Sequence, residues 1–306
     1  MQVSPTLELH VGRHKVGVNR PEKQLFPEDG ITKADLADHY RRVARRMVPE
    51  LRGRPLMLER MPDGIRGRRF IQKEVPDHFP DWVHRATVAK EGGEVTHVTC
   101  DDTATLVYLA GQACITPHRW LSRADRPRNP DRVVFDLDPS ADDFEAVRRA
   151  AHRLYELLDE LELPSALMTT GSRGLHVLVP LNRGDDADDV LAFARAVADT
   201  LAARYADELT TEPRKDAREG RLLIDTARNG YAQTAVAPFA VRPLPGAPVA
   251  APLAWDELDA PELTARRWTV TDLGDRLESD PWAGLGRHGH SVSAAGRRLR
   301  ALTGTG

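Results

Sequence analysis

The run Val133-Val134-Phe135-Asp136-Leu137-Asp138-Pro139 limits what this chain can become. Apolar, β-favouring residues as far as Phe135 read as a buried strand. Side chains two apart on a strand share a face. Asp136 and Asp138 therefore project together at the carboxyl end of the strand, which Pro139 stops. Two like charges so close repel, and one would have to take up a proton. A divalent cation removes the conflict, because carboxylate oxygens suit Mg²⁺ and Mn²⁺. The competing reading is a strand end with two solvated carboxylates.

Composition narrows the class. The chain has 306 residues, 41% hydrophobic and 29% charged, as expected of one large or two small globular domains. No apolar stretch of about 18 residues exists, so no membrane partner is expected. Met1–Pro5 lacks a basic segment followed by an apolar run, and a cytoplasmic, nucleoid-associated location is expected. Cys100 and Cys114 form no CxxC pair, so neither a zinc element nor a disulfide framework is predicted. The net charge of −3 hides an uneven distribution. Arg41, Arg42, Arg45, Arg46, Arg52, Arg54, Arg60, Arg66, Arg68 and Arg69 crowd the first quarter, as in a phosphate-binding surface or a solvated arginine face.

Short strand-like runs alternate with helical periodicity. Thr32 and Asp35 predict a capped helix start, Leu36, Tyr40, Val43 and Met47 its buried face, and Pro49 its end. Strand-like runs follow at 55–58, 69–72, 82–89 and 95–99, then a short buried helix at 104–113. The strand at 132–138 precedes a helix at 144–161. Strands at 166–170 and 176–180 come next, then a helix at about 188–207 and strands at 222–225 and 234–241. Hairpin-like strand pairs mixed with helices predict an α+β fold rather than a doubly wound sheet. From 285 to 306 the Gly-, Arg- and Ser-rich composition predicts a flexible tail.

Two further clusters bear chemistry. In Thr170-Gly171-Ser172-Arg173-Gly174-Leu175-His176, two glycines bracket a hydroxyl and a cation in a strand-to-strand turn. Successive N–H groups there can form an anion nest. The order is not that of a P-loop, and a glycine hairpin with a packed histidine is the alternative. Asp225 ends the short apolar strand Leu222-Leu223-Ile224, with Arg214, Lys215, Arg218, Arg228 and later Arg242 available to neutralise polyphosphate.

In that order, these stretches resemble the polymerase domain of bacterial ligase D (LigD), of the archaeo-eukaryotic primase type. The resemblance covers roughly residues 10–282 and includes Pro21–Lys33, Phe70–Val83 and Gln233–Arg242. It implies a two-lobed primase-type fold with mixed and antiparallel sheets and flanking helices. The DNA-end-binding part would span about 1–125 and the catalytic core about 126–284. It further implies Asp136, Asp138 and Asp225 as ligands of two Mn²⁺ or Mg²⁺ ions. Ser172, Arg173, Gly174, His176, Arg218 and Arg242 are implied nucleotide contacts, with Arg221 an alternative match for Arg218. Lys23 and Lys33 match lysines at a DNA 5′-phosphate, and Phe70 a template-stacking aromatic whose usual partner is Ile71 here.

The expected activity is addition of NTPs or dNTPs to a primer 3′-OH, at gapped or broken DNA, in non-homologous end joining. Ku and a separate ligase would be partners, since no ligase or phosphoesterase motif follows 282. Two rival readings are a haloacid-dehalogenase-type phosphatase using the DxD strand and a catalytically silent DNA-end-binding module.

Overall fold

The computed structural model describes residues 5–285 and 289–304. The chain divides into two compact units, Met1–Trp120 with Val236–Ala251 and Trp268–Ser279, and Leu121–Ala235 with Pro252–Arg267 and Asp280–Gly306. The first crossing lies between Trp120 and Leu121. The two later segments that return to the first unit carry no local signal in the sequence.

The first unit begins with the hairpin β1 (Thr6–Val11) and β2 (His14–Asn19), then β3 (Gln24–Phe26), β4 (Ile31–Thr32) and helix α1 (Lys33–Leu51). β5 (Leu56–Arg60), β6 (Phe70–Gln72), the hairpin β7 (Arg85–Lys90) and β8 (Gly93–Val98), α2 (Thr103–Gly111) and β9 (Cys114–Trp120) follow. α1 starts as predicted, with Thr32 and Asp35 closing a capping box and Leu36, Tyr40, Val43 and Met47 buried. It does not stop at Pro49 but runs to Leu51. A proline in the last turn forfeits only one helical hydrogen bond, and Gly53, at φ +68°, makes the turn instead. The strand expected at 82–89 begins only at Arg85, because Val83 N–H closes a turn onto the Pro80 carbonyl. Trp82 instead stacks on His14, with ring centroids 4.4 Å apart.

Not all of the early arginines are free surface cations. Arg54 is fully buried against the Trp120 carbonyl. Arg41, Arg66 and Arg69 are paired with Asp38, Glu28 and Glu59.

The second unit is built on β10 (Arg132–Asp138), α3 (Phe144–Glu160), β11 (Ala166–Thr169), β12 (Leu175–Pro180), α4 (Ala187–Arg204), β13 (Leu209–Thr210) and β14 (Leu222–Asp225). The chain passes to the first unit along β15 (Thr234–Val236) and returns at β16 (Pro252–Leu253). The strand expected at 234–241 ends at Val236, since Pro238 lacks an N–H and Phe239 has φ +64°. The sheet order is β13-β14-β10-β12-β11-β16, antiparallel except for β13 with β14. β10 is central, and Val133, Val134, Phe135 and Leu137 are fully buried. β14 pairs with β10 only from Asp136 to Asp138. Upstream, the buried Asn229 amide takes its place, accepting from Val134 N–H (2.8 Å) and donating to Val134 C=O (2.7 Å).

The tail predicted for 285–306 contains a helix, α5 (Val292–Thr303), contrary to the flexible reading. Asp185 accepts from Val292 N–H at 2.9 Å and from Ser293 Oγ at 2.7 Å, and Val292, Ala295 and Leu299 are buried. Three apolar residues at helical spacing suffice against a neighbour such as α4, although the composition is polar. Residues 286–288, 305 and 306 lie outside the described ones, as do 1–4, on which the absence of a leader was read.

His39 in α1 is buried, with Nε2 2.9 Å from the Phe239 carbonyl. Burial pushes its pKa from the ordinary 6.5 down to about 4. The unfolded chain therefore binds more protons between these values, and stability should fall as pH drops from about 6.5 to 4. His39→Gln should remove up to about 3 kcal/mol of that acid sensitivity. Urea melts of both proteins at pH 7 and pH 4.5 measure it.

Candidate active site

Backbone pairing assembles the acidic site of the second unit. Asp136 lies opposite His176 on one neighbouring strand and opposite Asp225 on the other. Directly opposed residues of antiparallel strands share a face, and Asp138, two residues on, shares it too. His176 is buried, with Nε2 3.5 Å from Asp136 Oδ2. Arg228 Nε lies 3.8 Å from Asp136 Oδ2 and 3.9 Å from Asp225 Oδ2. Asp138 has a guanidinium at each oxygen, Arg173 at 2.8 Å and Arg218 at 2.9 Å. Arg218 is buried, whereas Arg221 turns to the Arg218 carbonyl and toward Glu219. Of the two alternatives, the residue beside the carboxylates is thus Arg218.

The glycine turn is real, but it is not an open nest. The Ser172 and Gly174 N–H groups both point inward to Thr170 Oγ1, each at 3.3 Å, and that hydroxyl donates to the Gly174 carbonyl. A threonine hydroxyl thus fills the place expected for an anion's oxygen. The outward donors are the side chains, Arg173 above all. Arg266, remote in sequence, braces the turn by donating to the Ser172 carbonyl at 2.7 Å. Gly174 is obligatory for a spatial reason: a Cβ there would meet the Leu137 carbonyl oxygen at 1.9 Å. The turn is therefore pressed against the strand that bears the two aspartates.

Three carboxylates and no soft donor fit a hard divalent cation. Among the described residues, however, no three His, Cys, Asp or Glu side chains are gathered as a ready cage. The Asp138 carboxylate instead faces two arginines.

The other sequence-selected residues lie in the first unit. Lys33, at the start of α1, is 5% exposed and donates to the Asn19 carbonyl at 3.0 Å. Burial, with Arg20, Lys23 and Arg60 nearby, pulls its pKa down to about 8. Lys23 pairs with Asp63 at 2.6 Å. Phe70 is 41% exposed and Ile71 47%, so core packing does not account for them. Arg242 follows Val241, whose carbonyl accepts from Thr116. Sequence reading missed Thr170, Asn229 and Arg266 as builders of the site; Thr170 opens the glycine cluster, whereas the other two have no local signature.

The LigD primase-polymerase domain family model matches residues 32–282. The chain belongs to this family. It is accordingly a nucleotidyltransferase of the primase-polymerase type with an α+β fold. It is 32% identical over 267 residues to the multifunctional non-homologous end joining protein LigD of Mycolicibacterium smegmatis, covering 86% of this chain and 35% of that protein. To the bifunctional LigD of Bacillus subtilis it is 29% identical, covering 84% of this chain and 41% of the relative. The chain thus spans little more than a third of the relatives' length. The polymerase domain of Mycobacterium tuberculosis ligase D, solved in complex with DNA, superposes with a TM-score of 0.77 at 30% identity, covering 87% of this chain and 98% of that one. No helix among the described residues is long and apolar enough to cross a membrane.

Gly174→Ala should force the turn off Leu137. Overpacking of this kind costs about 1–3 kcal/mol, and nucleotide binding should be lost with it. Thermal melting and fluorescent-nucleotide titration of the variant check both effects.

Proposed function

We propose that this chain adds nucleotides to a primer 3′-hydroxyl at DNA gaps or broken ends, as one step of bacterial non-homologous end joining. The observation that carries the reading is the register that sets Asp136 opposite Asp225, beside an arginine-bearing glycine turn. The 3′-oxygen attacks the α-phosphorus of an incoming nucleotide and pyrophosphate leaves. Asp136, Asp138 and Asp225 would hold Mg²⁺ or Mn²⁺, two ions in all, which would offset triphosphate charge and acidify the 3′-hydroxyl.

The chain's own cations do the rest. Arg173 and Arg218, already aimed at a carboxylate, present forked donors suited to phosphate oxygens. Ser172, Gly174, His176 and Arg242 complete the proposed nucleotide contacts, Arg242 on family resemblance alone. Lys23, Lys33 and Phe70 are the proposed DNA contacts. Ku and a separate ligase remain proposed partners, and the cytoplasm, at the nucleoid, the proposed location.

Primer extension on a 5′-phosphorylated gapped duplex, with NTPs or dNTPs in Mg²⁺ or Mn²⁺, tests the activity. Asp136→Asn and Asp138→Asn should each cut extension by roughly a hundredfold or more while leaving the melting temperature nearly unchanged. Extension at wild-type rates would remove both residues from the mechanism.

Lys33 supplies a second test. With its pKa near 8, the ammonium is charged below that pH and discharged above it. Preference for a 5′-phosphate over a 5′-hydroxyl gap should be full near neutrality. It should fade as pH rises through and beyond about 8, because a bound phosphate holds the proton more tightly. Lys33→Ala should show little preference at any pH. Affinity ratios for the two substrates across pH are the measurement.

A further inference from the structure

The first unit carries a buried carboxylate that the proposed chemistry does not use. Glu59, on β5, is 2% exposed. Its Oε2 lies 3.1 Å from His118 Nε2 and its Oε1 2.7 Å from Arg69 Nε. Burial opposes the charged form, but the His118 hydrogen bond and charge and the Arg69 charge outweigh it, so the carboxyl stays below its ordinary range. A buried charge is costly unless paired, and here one partner comes from the surface. The Arg69 side chain is 58% exposed. Its Nε reaches inward to the carboxylate while more than half of the side chain stays exposed.

Arg69 immediately precedes the edge strand β6, whose first two residues are the exposed Phe70 and Ile71. Ile71 is the cross-strand partner of Glu59, so both lie on one face of the sheet. Across the strand, the Arg68 guanidinium sits over the Phe70 ring, 5.0 Å from its centroid. The edge therefore has an apolar residue and a guanidinium on each side. Exposed apolar side chains interleaved with planar cations suit unpaired nucleic-acid bases, because bases stack on aromatic rings and on guanidinium planes alike.

We propose that Arg69, positioned by the buried carboxylate of Glu59, is a base-stacking residue for unpaired DNA on the Ile71 side of β6. A planar group there supplies the stacking surface that isoleucine lacks, and Glu59 fixes its attitude so that little side-chain entropy is lost on binding. The inference rests on the reading that the chain works on DNA with unpaired bases.

The test is the affinity of the intact chain for two DNAs of equal charge, a gapped duplex with unpaired template bases and a fully paired nicked duplex. Arg69→Ala should weaken gapped-duplex binding roughly five- to tenfold and nicked-duplex binding far less. Arg69→Lys should lose nearly as much, since it keeps the charge and removes the plane. Glu59→Gln should match Arg69→Ala, and the double variant should be no worse than either single one. Melting temperatures report whether Glu59→Gln and Arg69→Ala still fold; Arg69→Lys, which keeps a cation beside Glu59, tests the idea even if they do not. Phe70→Ala separates the levels. If it weakens gapped binding while Arg69→Ala does not, the Arg69 proposal is overturned and the DNA reading stands. Wild-type retention by Arg69→Lys, or equal losses on both DNAs, would make Arg69 a phosphate contact and also overturn it. If the wild type does not prefer the gapped duplex, both readings fall.

Discussion

Backbone hydrogen bonds across β10 hold Asp136 opposite His176 on one side and opposite Asp225 on the other. Strand side chains alternate, so a one-residue slip in either pairing would send a partner to the opposite face. The register is protected by the fully buried Val133, Val134, Phe135 and Leu137. It is protected again by the Asn229 amide, which bonds Val134 where β14 has ended. Buried pairing thus fixes the placement of charged groups that repel one another.

The glycine turn depends on the same strand. Its close approach to the Leu137 carbonyl, possible only for Gly174, seats Arg173 beside Asp138. The Thr170 hydroxyl gathers the inward N–H groups, which stiffens the turn. Under the proposed function the cations touching the carboxylates would face a choice between these carboxylates and substrate phosphates, a competition that cation binding at the aspartates would shift.

Much of this was legible in the sequence where the signal is local. The capped start of α1, the strand Arg132–Asp138 and the turn before His176 follow from capping, alternation and glycine chemistry. Long-range facts were not legible. Arg266 reaches Ser172 from 94 residues away, and Arg54 buries a charge that composition assigns to the surface. β9, with Pro117 inside it, and α5, in a polar tail, owe their structure to packing that overrides local preference. Of the two readings of the glycine turn, the hairpin with a packed histidine describes its backbone better than the anion nest does, because the Thr170 hydroxyl takes the inward N–H groups.

The most direct measurement is a Mn²⁺ titration followed by electron paramagnetic resonance, with a non-hydrolysable nucleotide present, on the wild type and on Asp225→Asn. Two tightly held ions per chain are expected in the wild type, with at least one lost or greatly weakened in the variant. Equal, weak binding in both proteins would contradict the assignment of Asp136, Asp138 and Asp225 as one metal-binding set.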